Sequence, residues 1–333
     1  MNSRPLPRQD LSFTELGFGG APIGNLGREV TADDAAGTMA ASWHGGIRYF
    51  DTAPHYGLGL SERRMGEALR SRARDDFCLS TKVGRILEPI SNPRGLSDTE
   101  GFSVGRDHRR VWDFSRDGVR RSLDSSLQRL GLDRIDVALI HDPDNHWQEA
   151  SSQAVPALVE LRDQGVIRAI GVGMNQSSMA ARFVRESDID VVMIAGRYSL
   201  LDQTALADLL PAAQERGVGV IAAGIFNSGL LARAQPDRNA TFDYAPAPPE
   251  MLDRVMAMAE ICREFDTTLP AAAVHFVLAH PAVVSAVLGM RTAAETQRNL
   301  ALHTVPPSHG FWEVLREKGL LHFSAPTPGW IPQ

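Results

Sequence analysis

Cysteine is scarce: Cys78 and Cys262 are the only two in 333 residues. One falls in a short apolar run and the other in a helical pattern, so both read as buried thiols, not as a disulfide framework. The histidines are scattered without ligand-like spacing, which predicts no metal site. No apolar run is long enough to cross a bilayer. Residues 1–10 are polar and lack the apolar centre of a signal peptide, so the expected location is the cytoplasm. Blocks of like charge are also missing. With a net charge of −6 and a pI of 5.9, neither nucleic acid nor an anionic membrane surface is an expected partner. Finally, no G-x-G-x-x-G phosphate loop follows the first strand pattern, where residues 17–20 read Gly-Phe-Gly-Gly. That weighs against an open doubly wound sheet.

What the chain does contain is alternation. Short β-prone runs occur at 16–20, 47–50, 78–81, 135–140, 166–172, 191–195, 218–222 and 283–288. Segments with helical spacing lie between many of them, at 118–130, 155–164, 180–186, 205–216, 249–265 and 270–279. In 118–130, Val119, Leu123, Leu127 and Leu130 share one face. Strand then helix, repeated about eight times, predicts an α/β fold, a closed (β/α)8 TIM barrel occupying residues 1–333 as one domain. Two long insertions break the rhythm, about 84–113 and 227–249, and a tail with a further helix covers 306–333. The first insertion leaves a strand end and is interrupted by Pro89, Pro93, Gly95, Gly101 and Gly105; it is expected to overhang the active end as an irregular loop.

Chemistry-bearing residues collect at the ends of the predicted strands. Asp51 closes the run 47–50, and Tyr56 follows five residues later. Lys82 closes 78–81, and His141 follows 135–140. A phenol, with an ordinary pKa of about 10, is a poor acid–base group at neutral pH. It becomes useful when a cation lowers that pKa and a carboxylate holds the cation. Taken singly, an aspartate after a strand is usually a cap, and a lone tyrosine or histidine a packed rim residue. The set of four, each near a strand's C-terminal end, points to a proton-transfer unit.

At these residues the chain resembles the aldo-keto reductase family, whose catalytic tetrad matches Asp51, Tyr56, Lys82 and His141. The resemblance extends through Gly45-Gly46-Ile47-Arg48-Tyr49-Phe50-Asp51-Thr52-Ala53, Gly171-Val172-Gly173-Met174-Asn175 and Arg291-Thr292 to Asn299. The stretches at 139–144 and 195–201 look most like its branch of bacterial aldose 1-dehydrogenases and pyridoxal 4-dehydrogenase. It implies a nicotinamide cofactor, NAD or NADP. Asn175 would bind the carboxamide, Phe226, Asn227, Ser228, Gly229 and Leu230 would lie along the pyrophosphate, and Gly289, Arg291, Glu295 and Asn299 would hold the adenosine half.

Where many family members place a ring-stacking tyrosine this chain has Ala223, which leaves Phe226 and Tyr198 as candidates to pack on the nicotinamide. Glu295 stands where an arginine is common, and Gly289 where a lysine is common. An acid suits ribose hydroxyls better than a phosphate, so NAD is favoured. Arg291 argues the other way. Phe18, His55, Trp112 and Trp330 are candidate walls of a small-molecule substrate pocket. The expected activity is oxidation of an aldose at C1 to the lactone. The alternatives are pyridoxal or a general carbonyl in the same site, and a non-catalytic nicotinamide-binding regulatory subunit. The chain is expected to be a monomer or a homo-oligomer.

Overall fold

In the computed structural model, residues 1–237, 239–242 and 245–329 are described. Eight strands close into a parallel barrel in sequence order: Leu16–Gly19, Tyr49–Asp51, Cys78–Val83, Val137–His141, Ala169–Met174, Val191–Ala195, Gly219–Ala223 and Val283–Gly289. The last pairs with the first through Ala286↔Leu16 and Gly289↔Gly19. Helices cross outside from each strand to the next, among them Ala32–His44, Leu60–Leu69, Arg116–Leu130 and Ser177–Glu186. Side-chain caps fix the starts of three of the outer helices: Thr31 accepts from the Asp34 amide, Ser115 from Gly118 and, at Ala293–Leu302, Thr292 from Glu295. Among the described residues, no helix is long and apolar enough to cross a membrane.

Two apolar layers follow from strand alternation. Residues facing outward, such as Phe50, Leu79, Ala138, Ile140 and Val192, pack under the helices. Residues facing inward, including Tyr49, Val137, Leu139, Val191, Met193 and Ile221, fill the barrel. Each fully buried Val, Leu, Ile or Phe contributes about 1.5–3 kcal/mol, so the two layers together dominate stability. Phe18, read from sequence as a pocket wall, belongs to the outer layer: it is fully buried and tilts against Phe50 with ring centres 6.1 Å apart. In its four-residue strand Gly17 and Gly19 take the inward positions, and the alternation turns Phe18 away from the mouth.

The amino-terminal end of the barrel is closed by a hairpin, Ser3–Pro5 with Ser12–Thr14, which the polar sequence of residues 1–10 did not announce. Leu6, Leu11 and Phe13 enter the inner layer, and Phe13 meets Tyr49 edge-on at 4.7 Å. The insertion after the third strand is not an irregular loop. Arg85–Pro89 and His108–Trp112 pair antiparallel, in register from Arg85↔Trp112 to Pro89↔His108, and the glycines and prolines that hid the pattern lie mostly in its connecting tip. The second insertion holds a shorter pairing, Thr241–Phe242 with Ala245–Pro246.

Candidate active site

Asp51 is the last residue of the second strand, and Lys82 stands near the end of the third. Both side chains are buried, with Lys82 Nζ donating to Asp51 Oδ2 at 2.6 Å and to the Thr52 carbonyl at 3.0 Å. The other Asp51 oxygen accepts from Ser80 Oγ at 2.7 Å, and Ser80 is in turn 2.9 Å from Tyr49 Oη. A buried charge is tolerated only with such a complete set of partners. Burial works against the ammonium, but Asp51 and Tyr56 hold the Lys82 pKa above its ordinary value.

Tyr56 sits on the turn after the second strand. Gly57, at φ 63°, closes that turn against Gly24, whose carbonyl a Cβ at position 57 would meet at 2.2 Å. Lys82 Nζ lies 4.6 Å from the centre of the Tyr56 ring. The cation does not win outright: burial pushes the phenol up to about 12, against the pull of Lys82. The phenol therefore rests as a proton donor. His141 ends the fourth strand with its ring edge-on to Tyr56, centres 5.9 Å apart. Burial and then Arg85 and Lys82 keep its pKa well below the ordinary value, so the imidazole is neutral. Its Nδ1 is buried without a partner, and Nε2 is 3.7 Å from Asp142 Oδ2. A neutral ring with unengaged nitrogens beside a phenol can hold a substrate oxygen while the phenol exchanges its proton.

His55 borders the same space, its ring 5.5 Å from His141 and 6.0 Å from Tyr56. Burial, then Arg85 and Arg110, lower its pKa to about 2. The tip of the inserted hairpin packs over it. Phe102 lies 5.1 Å from His55 and 6.1 Å from Tyr56. Arg110 donates to the His55 carbonyl at 3.0 Å while paired with the buried Asp98. The tip is also stitched to the loop after the first strand, with Gly27 donating to the Gly101 carbonyl at 2.8 Å and Ser103 to that of Asn25 at 2.9 Å. Trp112, 44% exposed, reaches the site through Arg85, whose guanidinium lies 4.4 Å over its ring. Trp330 lies outside the described residues. Phe102, Arg85 and Arg110 went unnamed from sequence; their signal was present only as position, within a hairpin leaving the strand that holds Lys82.

On the opposite side of the mouth the strand ends are small: Ala195 and Gly196 after the sixth strand, Ala223 and Gly224 after the seventh. Asn175 is exposed just past the fifth strand, and its carbonyl accepts from Arg197 Nε at 3.0 Å. Phe226 is half-buried at the start of the next turn, whereas Tyr198 is fully buried against Phe276 and His280 and faces away from the mouth. Asn227, Ser228 and Gly229 follow one another at φ 44°, 56° and 98°. The amides of Asn227, Gly229 and Leu230 close the turn on the carbonyls of Gly224, Phe226 and Asn227, and Gly229 faces open space, so a ligand can approach the backbone closely there. Leu230 anchors the turn in the core. Gly289 is exposed at the end of the eighth strand. Glu295, in the first turn of the Thr292-capped helix Ala293–Leu302, reaches back to accept from the Arg291 amide at 2.8 Å, and its other oxygen lies 3.7 Å from Arg28. Asn299 is half-buried farther along that helix. These features fit a dinucleotide laid across the strand ends. Among the described residues, no three His, Cys, Asp or Glu side chains gather as metal ligands.

Residues 15–318 match the profile described as the Aldo/keto reductase family. The chain is 45% identical to a D-threo-aldose 1-dehydrogenase of a Pseudomonas species over 321 residues, covering 96% of each. It is 39% identical to a pyridoxal 4-dehydrogenase of Microbacterium luteolum, covering 96% of this chain and 97% of that one. Among solved structures, the holo form of an aldo-keto reductase from Bacillus halodurans superimposes with a TM-score of 0.76 at 27% identity, covering 98% of both chains.

Proposed function

The chain belongs to the aldo/keto reductase family, an oxidoreductase family that uses nicotinamide cofactors, and from that premise we propose that it oxidises an aldose at C1 to the lactone. The observation that supports this most is the cluster of Tyr56, His141 and the Lys82–Asp51 pair around one mouth, in a chain 45% identical to an aldose 1-dehydrogenase. His141 would hold the C1 hydroxyl oxygen, and Tyr56, in its phenolate form, would take that hydroxyl's proton. Lys82 stabilises the phenolate, and Asp51 fixes Lys82. The cofactor supplies the hydride acceptor that the protein lacks. Asn175 and the turn at Phe226–Leu230 would position it, with Gly289, Arg291 and Asn299 at its adenosine end. Glu295 next to the Thr292 cap favours NAD, since a carboxylate repels an added phosphate.

An absorbance assay for reduced nicotinamide, run with NAD and NADP against aldoses, pyridoxal and simple alcohols, tests the reading. Turnover of aldoses with release of a lactone is the expected result. Pyridoxal as the sole substrate would move the assignment to the reaction named for the second relative. Cofactor binding with no turnover of anything would favour a regulatory subunit.

A further inference from the structure

Beyond the tetrad, the mouth is built on one more ion pair. Arg85 follows Gly84, which turns the chain at φ 102°, where a Cβ would strike Phe114 at 2.3 Å. The turn brings Arg85 back over the strand ends just beyond Lys82. Its guanidinium is clasped between the Trp112 ring at 4.4 Å and the His55 ring nitrogens at 3.3 and 3.4 Å, and it pairs with Asp142. Asp142 directly follows His141 and adopts φ 43°. A left-handed aspartate is strained backbone, and such strain collects at functional sites. The conformation sets the carboxylate against Arg85 while leaving it 31% exposed. Arg85 Nε is buried with no partner. The groups thus form a ring: Tyr56, His141, Asp142, Arg85, His55 and back to Tyr56.

We propose that Arg85 and Asp142 are the substrate-reading pair of this mouth, a donor and an acceptor set side by side to take the hydroxyl next to the reacting carbon of an uncharged polyhydroxy substrate. Vicinal hydroxyls both donate and accept, and a guanidinium–carboxylate pair offers both partners at one place. The charge balance supports the uncharged class. Around the phenol and the two imidazoles the cations are Lys82, Arg85 and Arg110, and the carboxylates Asp51, Asp142, Asp98 and Glu100; across the mouth Arg197 faces Asp202 at 3.2 Å. Glu100 lies 3.5–3.7 Å from Arg110, Arg85 and His55. Among these groups every cation already faces an acid, so none is left over for a phosphate or a carboxylate on the substrate. The inference rests on the aldose reading above and names how that site would select within it.

The test compares the best neutral aldose with its 2-deoxy analogue, its uronic acid and its terminal phosphate, in the wild type, Arg85→Met and Asp142→Asn. Asparagine tolerates the left-handed backbone, so Asp142→Asn keeps the fold if Arg85→Met does not. The wild type should favour the aldose over the deoxy sugar in kcat/KM by about ten- to a hundredfold, the size expected for a hydrogen bond to a charged group, and over the charged analogues as well. Either variant should shrink the deoxy ratio to within a few-fold, by losing activity on the full aldose alone, with cofactor affinity unchanged. A pair that merely pins the hairpin would lower both substrates equally and keep the ratio; that result overturns the proposal, as does faster turnover of the uronic acid or phosphate. If the wild type oxidises no aldose, the functional reading falls and this inference with it. If it oxidises aldoses while the variants keep the ratio, only this inference falls.

Discussion

The two ends of the barrel use the same kind of buried ion pair for opposite ends. At the amino-terminal end Asp190 is fully buried, and all of its oxygen capacity is spent. It accepts from Arg162 at 3.1 and 3.2 Å, from Gln9 at 2.7 Å and from the Ile170 amide at 3.0 Å. Nothing there remains for a ligand, and the hairpin of residues 3–14 seals the opening. At the carboxyl-terminal end Asp51 and Lys82 are as deeply buried, yet beside them stand a phenol and an imidazole whose Nδ1 has no partner within the fold. Satisfied pairs hold the fold; a pair placed beside unsatisfied neighbours is available for chemistry.

The strongest way to break this contrast is at the phenol. Tyr56→Phe removes the proton carrier and leaves Asp51, Lys82 and the packing in place. Turnover should fall by about 10²- to 10⁴-fold, the usual weight of general acid–base catalysis, with the melting temperature and cofactor affinity nearly unchanged. Steady-state kinetics beside a thermal melt would show it, and near-normal turnover would remove Tyr56 from the chemistry. Asp190→Ala should do the reverse. Arg162 keeps Asp188, but it, Gln9 and the buried Ile170 amide lose their shared acceptor, which should cost about 1–3 kcal/mol in denaturant unfolding, while kcat per folded molecule stays within a few-fold. A large kcat loss with intact stability would mean that the two ends are not separable in this way.

The pH dependence sharpens the same point. Burial raises the Tyr56 pKa to about 12, so the base form needed for oxidation is scarce at neutral pH. Oxidation should climb with pH by up to about tenfold per unit without levelling off near an ordinary phenol's value. Carbonyl reduction, which uses the protonated form, should stay flat across the neutral range. A plateau in oxidation below pH 9 would show that Lys82 outweighs burial once substrate and cofactor are in place.

How far the sequence goes also differs between the two ends. The eight strands were legible because most are short apolar runs bounded by turn residues, and the meeting of Asp51, Tyr56, Lys82 and His141 because all four fall near strand ends. The capping hairpin at residues 3–14 was not, since its buried face comes down to Leu6, Leu11 and Phe13 among polar and proline residues. The helix Ala32–His44 was overlooked although Thr31 with Asp33 and Asp34 is a start signal; its alanine-rich face leaves little apolar contrast. Phe18 was misplaced because a four-residue strand with two glycines shows no periodicity to fix which face is inward. Arg85 and Asp142 stayed hidden for a deeper reason: their meeting spans 57 residues and depends on a glycine turn and a left-handed aspartate, neither of which leaves a local pattern.

The smallest expected effect lies at the start of the helix Ala293–Leu302, proposed above to hold the adenosine half, where one residue would have two jobs. Glu295 caps its helix through the Arg291 amide and places a negative charge 3.7 Å from Arg28. Glu295→Gln keeps an acceptor for the cap but removes the charge, so stability should change by less than about 1 kcal/mol. With the carboxylate gone, Arg28 loses its acid and can meet a phosphate on the ribose, and the NADP-to-NAD ratio of kcat/KM should rise several-fold. Glu295→Lys should push the ratio further but lose the cap as well, lowering the melting temperature. If Glu295→Gln leaves the ratio unmoved while Glu295→Lys destabilises, the residue is a helix cap that happens to stand near the cofactor, and the choice between the two dinucleotides is made elsewhere.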